Sequence, residues 1–145
     1  PTLGPEKMEE IAPDPDRLPE GVKLLEWTVV DRGEIKVYTA RYQTAEKDYI
    51  DLEIKRHYSE ELAIQEVQSA KTPLLHLGEG GVVEEIQPEI QPLNITPDSV
   101  IITEPTGEIM LIGHSGRYTF MIMAKATRQS TRETAIMLAE MIELP

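Results

Sequence analysis

Residues Gly113-His114-Ser115-Gly116 set a serine between two glycines and beside a histidine, the side-chain types of a hydrolase nucleophile and its base. That chemistry needs Gly-x-Ser-x-Gly at a strand-to-helix turn, because the strained turn projects the hydroxyl while the following amides hold the oxyanion. Here the second glycine follows Ser115 directly, the next segment "RYTFMIMAKA" has the texture of a strand, and no histidine follows His114. The four residues are therefore expected to form a hairpin tip, with Gly113 and Gly116 supplying unusual φ values and with His114 and Ser115 exposed.

The other residues with chemical potential are weighed in the same way. His57, His76 and His114 lie on separate segments with no metal-type spacing such as His-x-x-x-His, so no metal site is expected. Lys125, Arg128 and Arg132 form a basic cluster at the start of the last helical segment, where an anion is welcome; Ser130 and Glu133 there read as a capping box that competes for the same amides. Asn94-Ile95-Thr96 is a formal glycosylation sequon followed at once by Pro97. No phosphate loop, dinucleotide fingerprint or cofactor lysine motif occurs, and no cofactor is expected.

Between Thr72 and Gly116 there is no Lys or Arg, while Glu79, Glu84, Glu85, Glu89, Asp98, Glu104 and Glu108 accumulate. One charge sign over so long a stretch creates a negative field that can steer a basic partner or loosely hold calcium, or it can serve only to solubilise an apolar linker and discourage edge pairing. An EF-hand pattern is absent. Glu84, Glu85, Ile86, Glu89 and Ile90, which combine charge with apolar side chains, are the expected partner-binding residues.

The elements that position these groups follow from periodicity. "VKLLEWTVV" (22–30) and "EIKVYTARYQ" (34–43) flank Asp31-Arg32-Gly33, a hairpin signal. "YIDLEIKRH" (49–57) alternates, with Ile50, Leu52 and Ile54 facing one way. Ser59 caps a helix expected over about 60–70, whose buried side is read as Leu62, Ala63, Ile64, Val67 and Ala70. Strands are expected at 99–104, 108–113 and 117–126. The last of these is apolar on both faces, as a central strand covered on each side would be. "STRETAIMLAEMIEL" supplies the final helix.

Two stretches stand apart. Residues 1–21 carry prolines at 1, 5, 13, 15 and 19 among acidic charges and read as a flexible tether. Residues 72–99 carry four prolines and a tandem Glu-Ile-Gln-Pro (85–88, 89–92), which excludes a helix or central strand and leaves polyproline-like or edge-strand backbone; Val82, Val83, Ile86, Ile90 and Leu93 suggest that this linker packs across the domain. The expected organisation is a tether at 1–21 and one α+β domain at 22–145, with about six mainly antiparallel strands in the order βββα-linker-βββα and both helices on one face of the sheet.

Composition limits the function classes. The 145 residues carry a formal charge of −12, which disfavours nucleic acid and anionic membranes as partners. There is no cysteine, hence no thiol nucleophile or zinc-thiolate site. No apolar run reaches the length of a membrane span, so no membrane insertion within this chain is expected. The reading favoured by these residues is a non-enzymatic interaction domain, tethered outside the membrane of a bacterial or archaeal cell, that binds a protein partner through the acidic 72–99 segment or a sheet edge; a homo-oligomer is left open. Two alternatives are kept. One is a small-molecule or lipid carrier with Met110, Met121, Met123, Met137 and Met141 lining a pocket. The other is an enzyme using His57 or His114 with carboxylates.

Overall fold

In the computed structural model, which describes residues 7–125 and 128–145 and only the backbone of Leu74 and His76, alternation of apolar and polar residues marks strands such as Tyr49–Arg56, and Gly33, Gly78 and Gly116 directly follow the ends of three others. The elements are β1 (Lys23–Arg32), β2 (Ile35–Gln43), β3 (Tyr49–Arg56), α1 (Glu60–Ala70), β4 (Leu74–Leu77), β5 (Val83–Ile86), β6 (Glu89–Pro92), β7 (Val100–Thr103), β8 (Glu108–Ser115), β9 (Tyr118–Lys125) and α2 (Gln129–Glu140). Seven strands form one sheet in the order β1-β2-β3-β9-β8-β7-β6, with every neighbouring pair antiparallel. β4 and β5 make a separate two-stranded sheet. The α+β class and the antiparallel sheet are as expected; the additional strands β4, β5 and β6 come from the 72–99 stretch.

The hairpin β1–β2 turns at Gly33, whose φ of 77° is open to glycine without strain and whose amide donates to Asp31 Oδ1 at 2.9 Å. Pairing of β3 with β9 brings Ile54 opposite Phe120 and Leu52 opposite Ile122. Successive residues of a strand point to opposite faces, so Phe120 and Ile122 serve one side of the sheet and Thr119 and Met121 the other.

The two helices cover those two sides separately, which corrects the expectation of a single helical face. Ala135, Leu138 and Ala139 of α2 share a core with Leu111, Phe120 and Ile122, whereas Val67 of α1 packs with Ile102, Ile112 and Met121. The cause is visible in β9 itself: a strand apolar on both faces needs a cover on each. In α1, Ala63 and Val67 are buried, but Leu62 is exposed and lies outside the buried stripe assigned to it.

The proline-rich amino-terminal stretch is also packed where it is described. Met8 and Ile11 join the α2-side core, Ala12 and Pro13 are buried, and the Ile11 carbonyl accepts from the Glu143 amide at 3.0 Å. Two short single turns shape this stretch, Met8–Glu10, which buries Met8, and Pro15–Arg17, which starts at a proline and buries no residue. Residues 1–6 of the expected tether lie outside the described residues.

The capping box at α2 does not form. Arg128 takes the N-cap position without a side-chain cap, Ser130 Oγ donates to Glu46, and Glu133 is approached by Gln129 at 3.5 Å. Carboxylates from the β2–β3 turn occupy that end of the helix instead: Asp48 Oδ2 accepts from Thr131 Oγ1 at 2.6 Å and pairs with Arg128 at 3.2 Å. A negative group beside the first turn of a helix is favoured by the helix dipole whether it comes from the helix or from a neighbouring loop. At α1, Ser59 caps as expected, its hydroxyl accepting from the Leu62 amide at 3.3 Å.

Candidate functional site

The Gly113–Gly116 segment is a hairpin connection, as expected, but its residues play different parts. Gly116 has φ of 55° in the two-residue turn Gly116-Arg117, whereas Gly113 is ordinary strand backbone opposite Phe120. A Cβ on Gly113 would lie 2.5 Å from Thr96 Oγ1 and 2.7 Å from Ser99 Cβ, so glycine is needed there for close approach of the 94–99 loop. Ser115 Oγ donates to the Pro145 carbonyl at 2.8 Å on the α2 side. His114, one residue earlier, points to the α1 side, away from Ser115. Its Nδ1 meets Asp98 Oδ2, its amide donates to Asp98 Oδ1 at 3.0 Å, and its Nε2 lies 3.6 Å from Glu60. His114 is therefore largely covered, in contrast to the exposed tip expected for it, and it does not pair with Ser115.

A second polar group lies on the same face. Glu66 of α1 receives Lys55 Nζ at 2.8 Å, Thr119 Oγ1 at 2.7 Å and His57 Nε2 at 3.0 Å. Because an ionised carboxylate only accepts, Nε2 must carry the imidazole proton. Burial pushes the His57 imidazole below its ordinary value, against the pull of Glu66. Burial works in the opposite sense on Glu66, but hydrogen bonds from Lys55 and Thr119, together with the Lys55 charge, hold that carboxyl below the usual range. Asp98 is held low in the same way by the His114 amide and ring and by Thr96. Both groups join α1 or the 94–99 loop to the sheet through hydrogen bonds; among the described residues no cluster of three or more His, Asp or Glu is arranged to hold a metal. His76 sits on β4.

The basic cluster is divided. Arg128 pairs with Glu46 and Asp48. Arg132 donates to Gln91 Oε1 at 2.9 Å and Thr103 Oγ1 at 3.2 Å. Lys125 lies opposite Glu108 and lines a cleft of about 540 Å³ with Lys47, Tyr49, Met110 and Met123. The methionines are divided as well: Met121 packs beneath α1, while Met137 and Met141 belong to the helical segment on the other side of the sheet.

The expected partner-binding residues fall on two adjoining elements. Glu84, Glu85 and Ile86 lie on β5, while Glu89 and Ile90 lie on β6 at the edge of the main sheet, where Ile90 opposes Ile102. β4 and β5 form an arm. Register places Leu75 opposite Glu85 and Leu77 opposite Val83, so Leu75, Leu77 and Val83 share one face. These side chains are 73%, 70% and 60% exposed, and Val82 at the connecting turn is 59% exposed. The expectation that the whole linker packs across the domain is thus met at Leu93, which is buried, and not at Val82, Val83 or Ile90. β4 was not expected from the sequence; the signal that could have found it is Leu75 and Leu77 on either side of His76, which the surrounding prolines and glycines masked.

No protein family, curated protein or solved structure matches this chain. No helix among the described residues is long and apolar enough to cross a membrane.

Proposed function

We propose that this chain is a protein-interaction domain whose docking surface is the β4–β5 arm. The observation that carries this reading is the row Leu75, Leu77 and Val83, exposed on one face of a hairpin that stands apart from the main sheet. Contiguous exposed apolar side chains rimmed by charge are a feature of contact surfaces, whereas apolar residues scattered singly are not. Glu85, opposite Leu75, shares that face, Glu84 lies on the other face of the hairpin and Glu79 lies in the β4–β5 connection; all three are exposed. The partner that fits is a protein with an apolar strip bordered by Lys or Arg, drawn in by the carboxylates and held by desolvation of the leucines and valines. A photo-crosslinking residue at Leu77 should capture one defined partner in the native host, while the same group at Met137, exposed on α2, should not. Equal capture at both positions would contradict the reading.

A second reading, small-molecule carriage, is favoured by one feature, the cleft of about 540 Å³ at Met110 and Met123. Its volume lies in the range of ligand pockets. Native mass spectrometry of gently purified protein should then show a retained ligand, lost in Met123→Lys.

A further inference from the structure

The two edges of the main sheet differ. β6 is four residues long and ends in Pro92, which has no amide hydrogen to offer; short length and proline are usual guards against edge pairing. β1 runs for ten residues without proline, and Leu25, Trp27, Val29 and Val30 on it are exposed.

We propose that β1 pairs with β1 of a second copy of this chain, antiparallel about a two-fold axis through Val29, joining two seven-stranded sheets into one. The backbone phase permits it. The two-residue turn Gly33-Glu34 makes Arg32 and Ile35 the mutually bonded pair of the hairpin, so Thr28, Val30 and Arg32 direct their amides to β2 and the alternate residues Trp27, Val29 and Asp31 direct theirs outward. In the proposed register Val29 meets Val29, Thr28 meets Val30, Trp27 meets Asp31, and Glu26 meets Arg32 twice, once on each side of the axis. Directly opposed unlike charges stabilise a strand pair and like charges destabilise it.

The neighbouring registers lack this complementarity. An axis through Thr28 sets Glu26 against Val30, and an axis through Val30 sets Glu26 against Glu34. An axis through Trp27 runs the pairing through the register shift between Leu24 and Glu26. The sequence of β1 is thus self-complementary where its backbone is regular, which singles out a second copy of this chain over a foreign strand. Trp27, stacked on Tyr38 with ring centroids 5.8 Å apart, would gain a cover from the joined strand.

The test is sedimentation of the full chain over a range of concentrations, with Trp27, the one tryptophan, as a fluorescent reporter of the join. A dimer is expected, with tryptophan emission shifting to longer wavelength on dilution. Val29→Pro removes an outward amide without touching the β1–β2 ladder and should raise the dissociation constant by about tenfold or more. Glu26→Arg should weaken the dimer by a similar factor, and Glu26→Arg combined with Arg32→Glu should restore it, a rescue that an unfolding defect would not give. If Val29→Pro does not fold, the charge-reversal pair decides. A monomer at all concentrations, or a dimer indifferent to these substitutions, would overturn the proposal.

Discussion

The α2 side of the sheet and the β4–β5 arm use the same residue types to opposite ends. On the α2 side Phe120, Ile122, Leu111 and Leu138 are fully enclosed, together with Met8 and Ile11 from the amino-terminal stretch. On the arm Leu75, Leu77 and Val83 stand in water. Burial of a leucine-sized side chain stabilises a fold by roughly 1.5–3 kcal/mol, and the arm residues contribute almost none of this. Apolar side chains that the fold does not use are free to be buried by something else, and that contrast underlies the docking proposal.

The contrast is sharpest where substitution is most costly. Phe120→Ala should lower unfolding free energy by about 3–5 kcal/mol in urea titrations, because it empties a fully enclosed site in the core that α2 covers, flanked by the neighbouring strands β3 and β8. Gly113→Ala should cost about 1–3 kcal/mol, since the new methyl group meets Thr96, Ser99 and Phe120 and at least one must move. A loss near zero would mean that the 94–99 loop yields more easily than the hydrogen bonds of its Asp98 to His114 and of its Ser99 to Leu93 imply.

The α1 side responds to pH. His57 is held below its ordinary value in the folded chain, so the unfolded chain binds the proton more readily. Its contribution is fully present above the unfolded-state histidine value of about 6.5 and is lost as pH falls from there toward the lower folded value. His57→Asn should flatten stability against pH in that window, as read from denaturation midpoints on either side of about pH 6.5. Glu66 and Asp98, both held low, add a second loss of stability in more acidic solution, below about pH 4.5. The smallest change is expected on the arm: Leu75→Ala should move the unfolding free energy by less than about 0.5 kcal/mol. A cost comparable to that of Phe120→Ala would erase the distinction between arm and core.

The parts legible in the sequence were those fixed by local pattern. Ile50, Leu52 and Ile54 are buried as their alternation implied, Gly33 turns the first hairpin, and α1 spans the range that Ser59 and the following residues indicated. Contacts between distant residues were not legible. The His57–Thr119 hydrogen bond joins positions 62 apart, and the carboxylates at the start of α2 come from a turn more than 80 residues earlier, which is why a local capping box was expected there. Packing of Met8 and Ile11 was hidden for a different reason, since so few apolar residues among prolines and acids give no period to read. Of the proposed site, Glu84, Glu85 and Ile86 drew attention to the stretch that forms the arm, but the exposed face of Leu75 and Leu77 emerges only from the β4–β5 register.

The most direct test of the arm as docking surface is the affinity of the crosslinked partner, once purified, for a chain carrying Leu77→Asp and Val83→Asp together, measured alongside its urea denaturation. Loss of about tenfold or more in affinity with an unchanged denaturation midpoint is the predicted result. Unchanged affinity, or a fall in affinity matched by unfolding of the domain, would contradict it.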